Sequence, residues 1–278
     1  MSQYWSLDDI AWDRFDPSKV DPELLAVIKT ASLVEANSPD YVIYLRNVFP
    51  DDAEFCAAVE GWGAEERQHG EALARWATLA DPSFDFEASL RRVQEEGYKL
   101  PLDAQESVRG SRAGELIARC TVESGTTSFY SAMGDRTEEP VLKEVARHIA
   151  ADEVRHYKLF RKHLGIYEAQ SGRMPLFRRL GVILGRFMEK DDDEFAYAFY
   201  AANLAGPDAP PYDRVQCGRA YERGALGLYE REHTATGLKM ALRSIGFGTA
   251  SLTTRFVVRL GWFLLRRRRR QLAAAPTL

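Results

Sequence analysis

Apolar positions recur along the chain at steps of three and four residues, the spacing that gathers side chains on one side of an α-helix. No stretch shows the two-residue alternation of a half-buried strand, so the expected fold is all-α. A first helix starts at Asp21-Pro22, an N-capping acid followed by a proline suited to the first helical position. It runs toward Phe49-Pro50 with a kink at Pro39. A second helix covers about 52–79 and ends before Asp81-Pro82. A third covers about 112–133 and stops at Gly134-Asp135; a fourth covers about 138–164 and is closed by Gly165. Residues 82–111 combine an acidic amphipathic segment with a loop containing glycine and proline.

Beyond residue 170 the pattern changes. Arg173 to Lys190 reads as a basic, apolar-rich helix, followed by an acidic patch from Asp191 to Glu194. A short aromatic helix reaches Leu204, the Pro-rich turn 207–211 interrupts it, and a long helix is expected from Tyr212 to Ser244. From Ser251 onward, apolar and aromatic residues lead into Arg266 to Arg270. Residues 1–170 therefore form a helical bundle, and 171–278 supply additional helices packed on it with a basic C-terminal tail.

Each bundle helix has an apolar stripe interrupted by acid. The second runs Val59, Trp62, Glu66, His69, Leu73, Trp76, and the fourth Leu142, Val145, Ile149, Glu153, His156, Phe160. In both, a carboxylate and an imidazole stand three residues apart on the core-facing side. The first stripe, from Leu24 through Ile28 and Ala31 to Val42 and Leu45, contains one acid, Glu35. The third, Leu116, Cys120, Glu123, Thr127, Tyr130, contains Glu123 at mid-helix. Glu65 shares a face with Gly61, Gln68 and Ala72 and is expected to point elsewhere, and Glu115 lies near its helix start beside Arg119. A third Glu-x-x-His, Glu230 to His233, sits among Glu222, Arg223 and Arg231 and reads as a solvated face. His148 and His163 lie off the seam and are expected at the surface.

Four carboxylates in one core are costly, several kcal/mol each when unpaired. Two divalent cations cancel that charge, and the mixture of carboxylate and imidazole suits iron, with manganese as the alternative. One glutamate from each of two helices and a Glu-x-x-His from each of two others is the ligand set of ferritin-like two-metal bundles.

Composition narrows the remaining options. With 278 residues, 45% hydrophobic and 28% charged, the chain can bury a sizeable core, and a net charge of −4 gives no global field for nucleic acid. Cys56, Cys120 and Cys217 form no Cys-x-x-Cys pair, which argues against a rubredoxin-type or zinc module and fits a reducing cytoplasm. The polar, acidic start of the chain is unlike a signal peptide, and no run approaches the roughly 18 apolar residues of a membrane span.

The stretches Trp62-Gly63-Ala64-Glu65-Glu66-Arg67-Gln68-His69-Gly70 and Ala150-Ala151-Asp152-Glu153-Val154-Arg155-His156 resemble the two signature helices of the soluble acyl-acyl-carrier-protein desaturases. Pro39 and Tyr41 after Glu35, and Thr126 after Glu123, agree with that family, and the resemblance covers about residues 20–165. It implies two iron ions bridged by Glu66 and Glu153, with Glu35 and His69 completing one and Glu123 and His156 the other. It further implies Asp152 as acceptor for a ligand imidazole and Thr126 as a proton-delivering hydroxyl. The implied activity is O2-dependent desaturation of a fatty acyl chain, with an acyl carrier protein or other acyl thioester as substrate carrier, an external ferredoxin-type electron donor and a homodimeric enzyme. Alternatives are hydroxylation of another lipid, a rubrerythrin-like peroxidase, and non-catalytic iron binding as in ferritin. For Arg266–Arg270 the readings are a peripheral contact with the inner membrane surface, attraction of an acidic carrier, or a solvated helix end.

Overall fold

The computed structural model describes residues 4–188, 193–206 and 208–275. Its described residues form helices and connecting turns without a β-strand, so the fold is all-α. Four long helices form the central bundle: α1 (Pro22–Ala36), α3 (Ala53–Ala80), α5 (Arg112–Arg136) and α6 (Pro140–Ser171). Between them lie α2 (Ser38–Val48) and α4 (Phe86–Glu96). The second half contributes α7 (Leu176–Met188), α8 (Asp193–Asn203), α9 (Arg214–Gly227), α10 (Arg231–Ser244) and α11 (Leu252–Ala273).

The Asp21 cap expected from the sequence is in place, and Asp52 and Ser111 cap two further helices. The Asp21 side chain accepts from the amides of Glu23 and Leu24, Asp52 from Phe55, and Ser111 from Gly114, satisfying amides that lack partners in the first turn. Several boundaries differ from the sequence reading. The first helix is two helices, because Pro39 has no N–H to continue the ladder past Asn37 and restarts the chain in the first turn of α2. The third helix continues past Gly134 to Arg136. Gly165 does not end α6, which runs on to Ser171 and stops at Gly172, whose φ of +79° suits glycine. The long helix expected over 212–244 breaks at 228–230, where the exposed Glu230 becomes the N-cap of α10. Of the acidic patch, Asp191 and Asp192 lie outside the described residues, as does Lys190.

Pairing in the bundle is uneven. α1 packs on α3 and α5 on α6, and α3 meets α6 across the centre. On the α1 and α5 side, α8 and α9 lie on α1, α10 lies on α5, and α11 covers α9 and α10. Buried apolar side chains form two large clusters. One gathers Leu24, Ile28, Leu73, Trp76, Met133 and Val145; the other gathers Leu45, Phe55, Val59, Leu116, Phe160 and Leu164. On α3 and α6 the residues separating these clusters are polar. Gly70 brings α1 against α3 at this level, since a Cβ there would stand 2.6 Å from the Ala36 amide nitrogen and 2.8 Å from the Ser32 carbonyl.

Candidate metal centre

The polar layer between the two clusters holds the acids and imidazoles that interrupt the stripes. Glu35 on α1, Glu66 and His69 on α3, Glu123 on α5, and Glu153 and His156 on α6 converge there, and all but the half-buried Glu35 are buried. They form two overlapping groups whose donor atoms lie within 4.8 Å of one another: Glu35, Glu66, His69 and Glu153, and Glu66, Glu123, Glu153 and His156. Glu66 and Glu153 belong to both. A carboxylate with two oxygens can serve two ions, so shared membership places these two between the halves.

The imidazoles are oriented by carboxylates from the facing helix. His69 Nε2 stands 3.0 Å from Asp152 Oδ2, and His156 Nε2 stands 2.9 Å from Glu65 Oε2. Residue 65 thus faces 156 while 69 faces 152, so α3 and α6 run antiparallel through the layer. An ionised carboxylate only accepts, so each Nε2 carries hydrogen and each Nδ1 is turned inward. His69 Nδ1 lies 3.4 Å from Glu153 and 3.6 Å from Glu66, and His156 Nδ1 lies 3.0 Å from Glu66 and 3.8 Å from both Glu123 and Glu153.

Sequence reasoning sent Glu65 to another face and is corrected here, since it accepts from both His156 and Arg155 Nη2, the latter at 2.8 Å. Asp152 is more heavily engaged. Its Oδ2 accepts from His69 and from Trp5 Nε1 at 2.7 Å, and its Oδ1 accepts from Arg155. Trp5 was missed by the sequence reading because it precedes any periodic segment. It is held by its own carbonyl, which accepts from Gln68 Nε2 at 3.0 Å, and its ring stacks on His148.

Two other expectations are settled by packing. His163 is buried against the Phe55 ring, 5.0 Å between centroids, and is not a surface residue. Glu230-x-x-His233 is not a helix face but a cap: His233 Nδ1 accepts from the Glu230 amide, and its Nε2 meets Asp135. Glu115 is buried away from the layer, accepting from Tyr44 and Ser107. The nearest buried arginine, Arg119, lies toward Glu115 at 3.7 Å and over the Tyr41 ring.

Burial and the neighbouring Glu66 push the Glu35 carboxyl well above the usual carboxylate range, and burial with Glu153 and Glu66 does the same to Glu123. Burial also opposes charge on the imidazoles, but the surrounding carboxylates outweigh it and raise both. Against the same penalty, and for Glu153 against repulsion from Glu66 as well, the two imidazoles hold Glu66 and Glu153 low. Without metal, protons must therefore supply the missing positive charge.

The donor set fits two cations. His69 Nδ1, His156 Nδ1, Glu123 Oε1 and Glu153 Oε1 are buried without a hydrogen-bond partner, and such orphans are rare unless something else satisfies them. Four carboxylates against two doubly charged ions close the charge balance, and the outer carboxylates on both imidazoles are the usual support of ligating histidines.

Beside the layer, on the α1 and α5 side, lies a cavity of about 930 Å³. Glu35, Glu66, Glu123, Glu153 and Thr126 line it, with apolar walls from Ala31, Val34, Phe129, Ala225 and Leu226. The Thr126 hydroxyl donates to Glu153 Oε2 at 2.5 Å, and Tyr130 donates to Glu35. At its exposed side stand Arg214, Arg219 and Arg268. No cysteine lines this cavity, so no thiolate is placed to hold a haem there.

No family model matches the chain. Over 147 residues, 51% of its length, the chain is 26% identical to the cytochrome P450 monooxygenase mpsF of Macrophomina phaseolina (strain MS6). The match spans 34% of that protein, so the chain corresponds to about a third of the relative's length.

Proposed function

We propose that this chain is an oxidoreductase with a two-iron carboxylate and histidine centre, and that it oxidises a hydrocarbon chain held in the adjoining cavity. The observation that carries the reading is the contact between the two. The cavity has mostly apolar walls and one wall of candidate ligand carboxylates, so a bound methylene chain would lie against the metals. Iron held by Glu35, Glu66, His69, Glu123, Glu153 and His156, with manganese as the alternative ion, would supply O2 binding and electron transfer. Similarity to a monooxygenase supports an oxidoreductase at the coarse level. The finer assignment, an acyl-acyl-carrier-protein desaturase-like enzyme, rests on the resemblance of the signature helices.

The protein's own part is positioning and proton handling. Asp152 and Glu65 fix the imidazoles with Nδ1 inward. Thr126 lines the cavity and donates to Glu153, so its hydroxyl can pass a proton between the cavity and that carboxylate. The apolar walls keep water from the reacting carbon. In desaturation two hydrogens leave adjacent carbons, and O2 takes them with two further protons and two electrons to form two waters. Those electrons come from an external ferredoxin-type donor. Iron-loaded protein incubated with an acyl carrier protein thioester, O2 and reductant is expected to yield an alkene. A hydroxylated product would move the assignment to the hydroxylase alternative, and no oxidised product would refute the substrate class.

A further inference from the structure

We propose that α11 docks this protein on the surface of an anionic lipid bilayer. The helix has two unlike sides. Thr254, Val258 and Leu272 are buried, and Gly261 sits under Leu238 of α10, where a Cβ would come within 2.4 Å. Arg268 pairs with Glu222, and Arg269 donates to the Tyr229 carbonyl at 3.1 Å. This side attaches the helix to α9 and α10.

The other side carries Leu252, Phe256, Leu260, Phe263 and Leu264, spaced so that all fall on one face. They protrude: Leu252 is 80% exposed, Phe256 65% and Phe263 61%. Arg255, Arg259, Arg266, Arg267 and Arg270 stand within and around this row, each exposed. α11 holds seven arginines and no acid, in a chain whose net charge is −4.

Protruding leucine and phenylalanine flanked by arginine is the pattern of a helix lying in the headgroup region, with apolar groups below the phosphates and guanidinium groups at their level. The charge is complementary to an anionic surface, and the long row of large apolar groups is what an acidic soluble protein would leave uncovered. No helix among the described residues is long and apolar enough to cross a membrane, so the contact is peripheral. Arg268, on the attached side of α11, also lines the cavity beside the candidate metal centre, so the docking helix forms part of that cavity's wall. The docking itself needs no metal.

Vesicle flotation with the full chain tests it, using phosphatidylcholine alone and phosphatidylcholine mixed with phosphatidylglycerol. Binding is expected on the anionic vesicles and is expected to weaken as salt is added. Arg266→Gln, Arg267→Gln and Arg270→Gln together should lower partition roughly a hundredfold. Leu252→Ser, Phe256→Ser and Phe263→Ser together should lower it at least about tenfold while helical circular dichroism and metal content stay unchanged. Absence of binding at low salt, or binding by either triple variant undiminished from that of the unmodified chain, would overturn docking. So would a dimer in sedimentation that the serine variant dissociates while vesicles are ignored, since a second copy would then cover the face. Capture of an acidic carrier protein through the same arginines, again without vesicle binding, would assign the face to that carrier instead.

Discussion

The two carboxylates that orient the imidazoles differ in how many oxygens they use, and this predicts unequal effects of two similar substitutions. Asp152 uses both: Oδ2 accepts from His69 and Trp5, and Oδ1 from Arg155. In Asp152→Asn one oxygen becomes an NH2 group. If the oxygen stays toward His69 and Trp5, the amide hydrogens face a guanidinium; if it flips, they face an imidazole N–H and an indole N–H. Either orientation sets donor against donor and strands a buried group, costing about 1–3 kcal/mol. Glu65 uses one oxygen, since Arg155 and His156 both donate to Oε2. Glu65→Gln can keep that oxygen in place and turn its NH2 away, so it loses only the charge. Metal affinity, measured by competition with a chelator of known strength, should therefore fall about 10–100-fold in Asp152→Asn and distinctly less in Glu65→Gln. Equal losses, or full affinity in a folded Asp152→Asn protein, would refute the argument that the imidazoles are held in their ligating orientation by these bonds.

Metal loading should raise thermal stability. At 100 times the dissociation constant each ion adds about 2.7 kcal/mol, and at about 2 °C per kcal/mol for a chain of this size two ions raise the midpoint by roughly 10 °C in scanning calorimetry. In the metal-free protein, Glu35, Glu123, His69 and His156 have raised affinities for protons, so their contribution is complete below the unfolded values and is lost as pH rises. Denaturant midpoints of metal-free protein should accordingly fall from weakly acidic toward alkaline pH, whereas the loaded protein should not follow that trend; parallel profiles would contradict a proton-neutralised cluster. Thr126→Val should retain both ions yet form product on the order of 10²-fold more slowly, with reductant still consumed. Unchanged product formation would remove Thr126 from proton handling. Gly70→Ala should destabilise by about 1–3 kcal/mol and weaken metal binding together, because relief of the clash with Ala36 and Ser32 must move Glu35 away from Glu66; unchanged urea midpoints would show that α1 gives way freely.

Much of the bundle was legible because ligands and core share one periodicity. Glu66, His69, Glu153 and His156 stand where the stripe demands apolar groups, and inward acids at mid-helix are conspicuous for that reason. Helix ends were less legible. Gly165 and Gly172 are alike in sequence, but only Gly172 stands where the chain turns to positive φ. The break after Gly227 accompanies the His233 imidazole accepting from the Glu230 amide, which a face-based reading of Glu-x-x-His cannot register. Glu65 escaped because an outer carboxylate belongs to the facing helix: its partner is 91 residues away. Trp5 escaped for a similar reason, reaching Asp152 from a segment with no helical period.

The central claim is that this layer binds two metal ions between four helices. Anaerobic titration of metal-free protein with ferrous iron, followed by analysis of iron retained after gel filtration, tests it most directly. Retention should saturate at about two irons per chain, and Glu66→Ala or Glu153→Ala, each removing a residue shared by both groups, should abolish retention of both while the helical content persists. Retention below one iron per folded chain, or full retention in either variant, would contradict it.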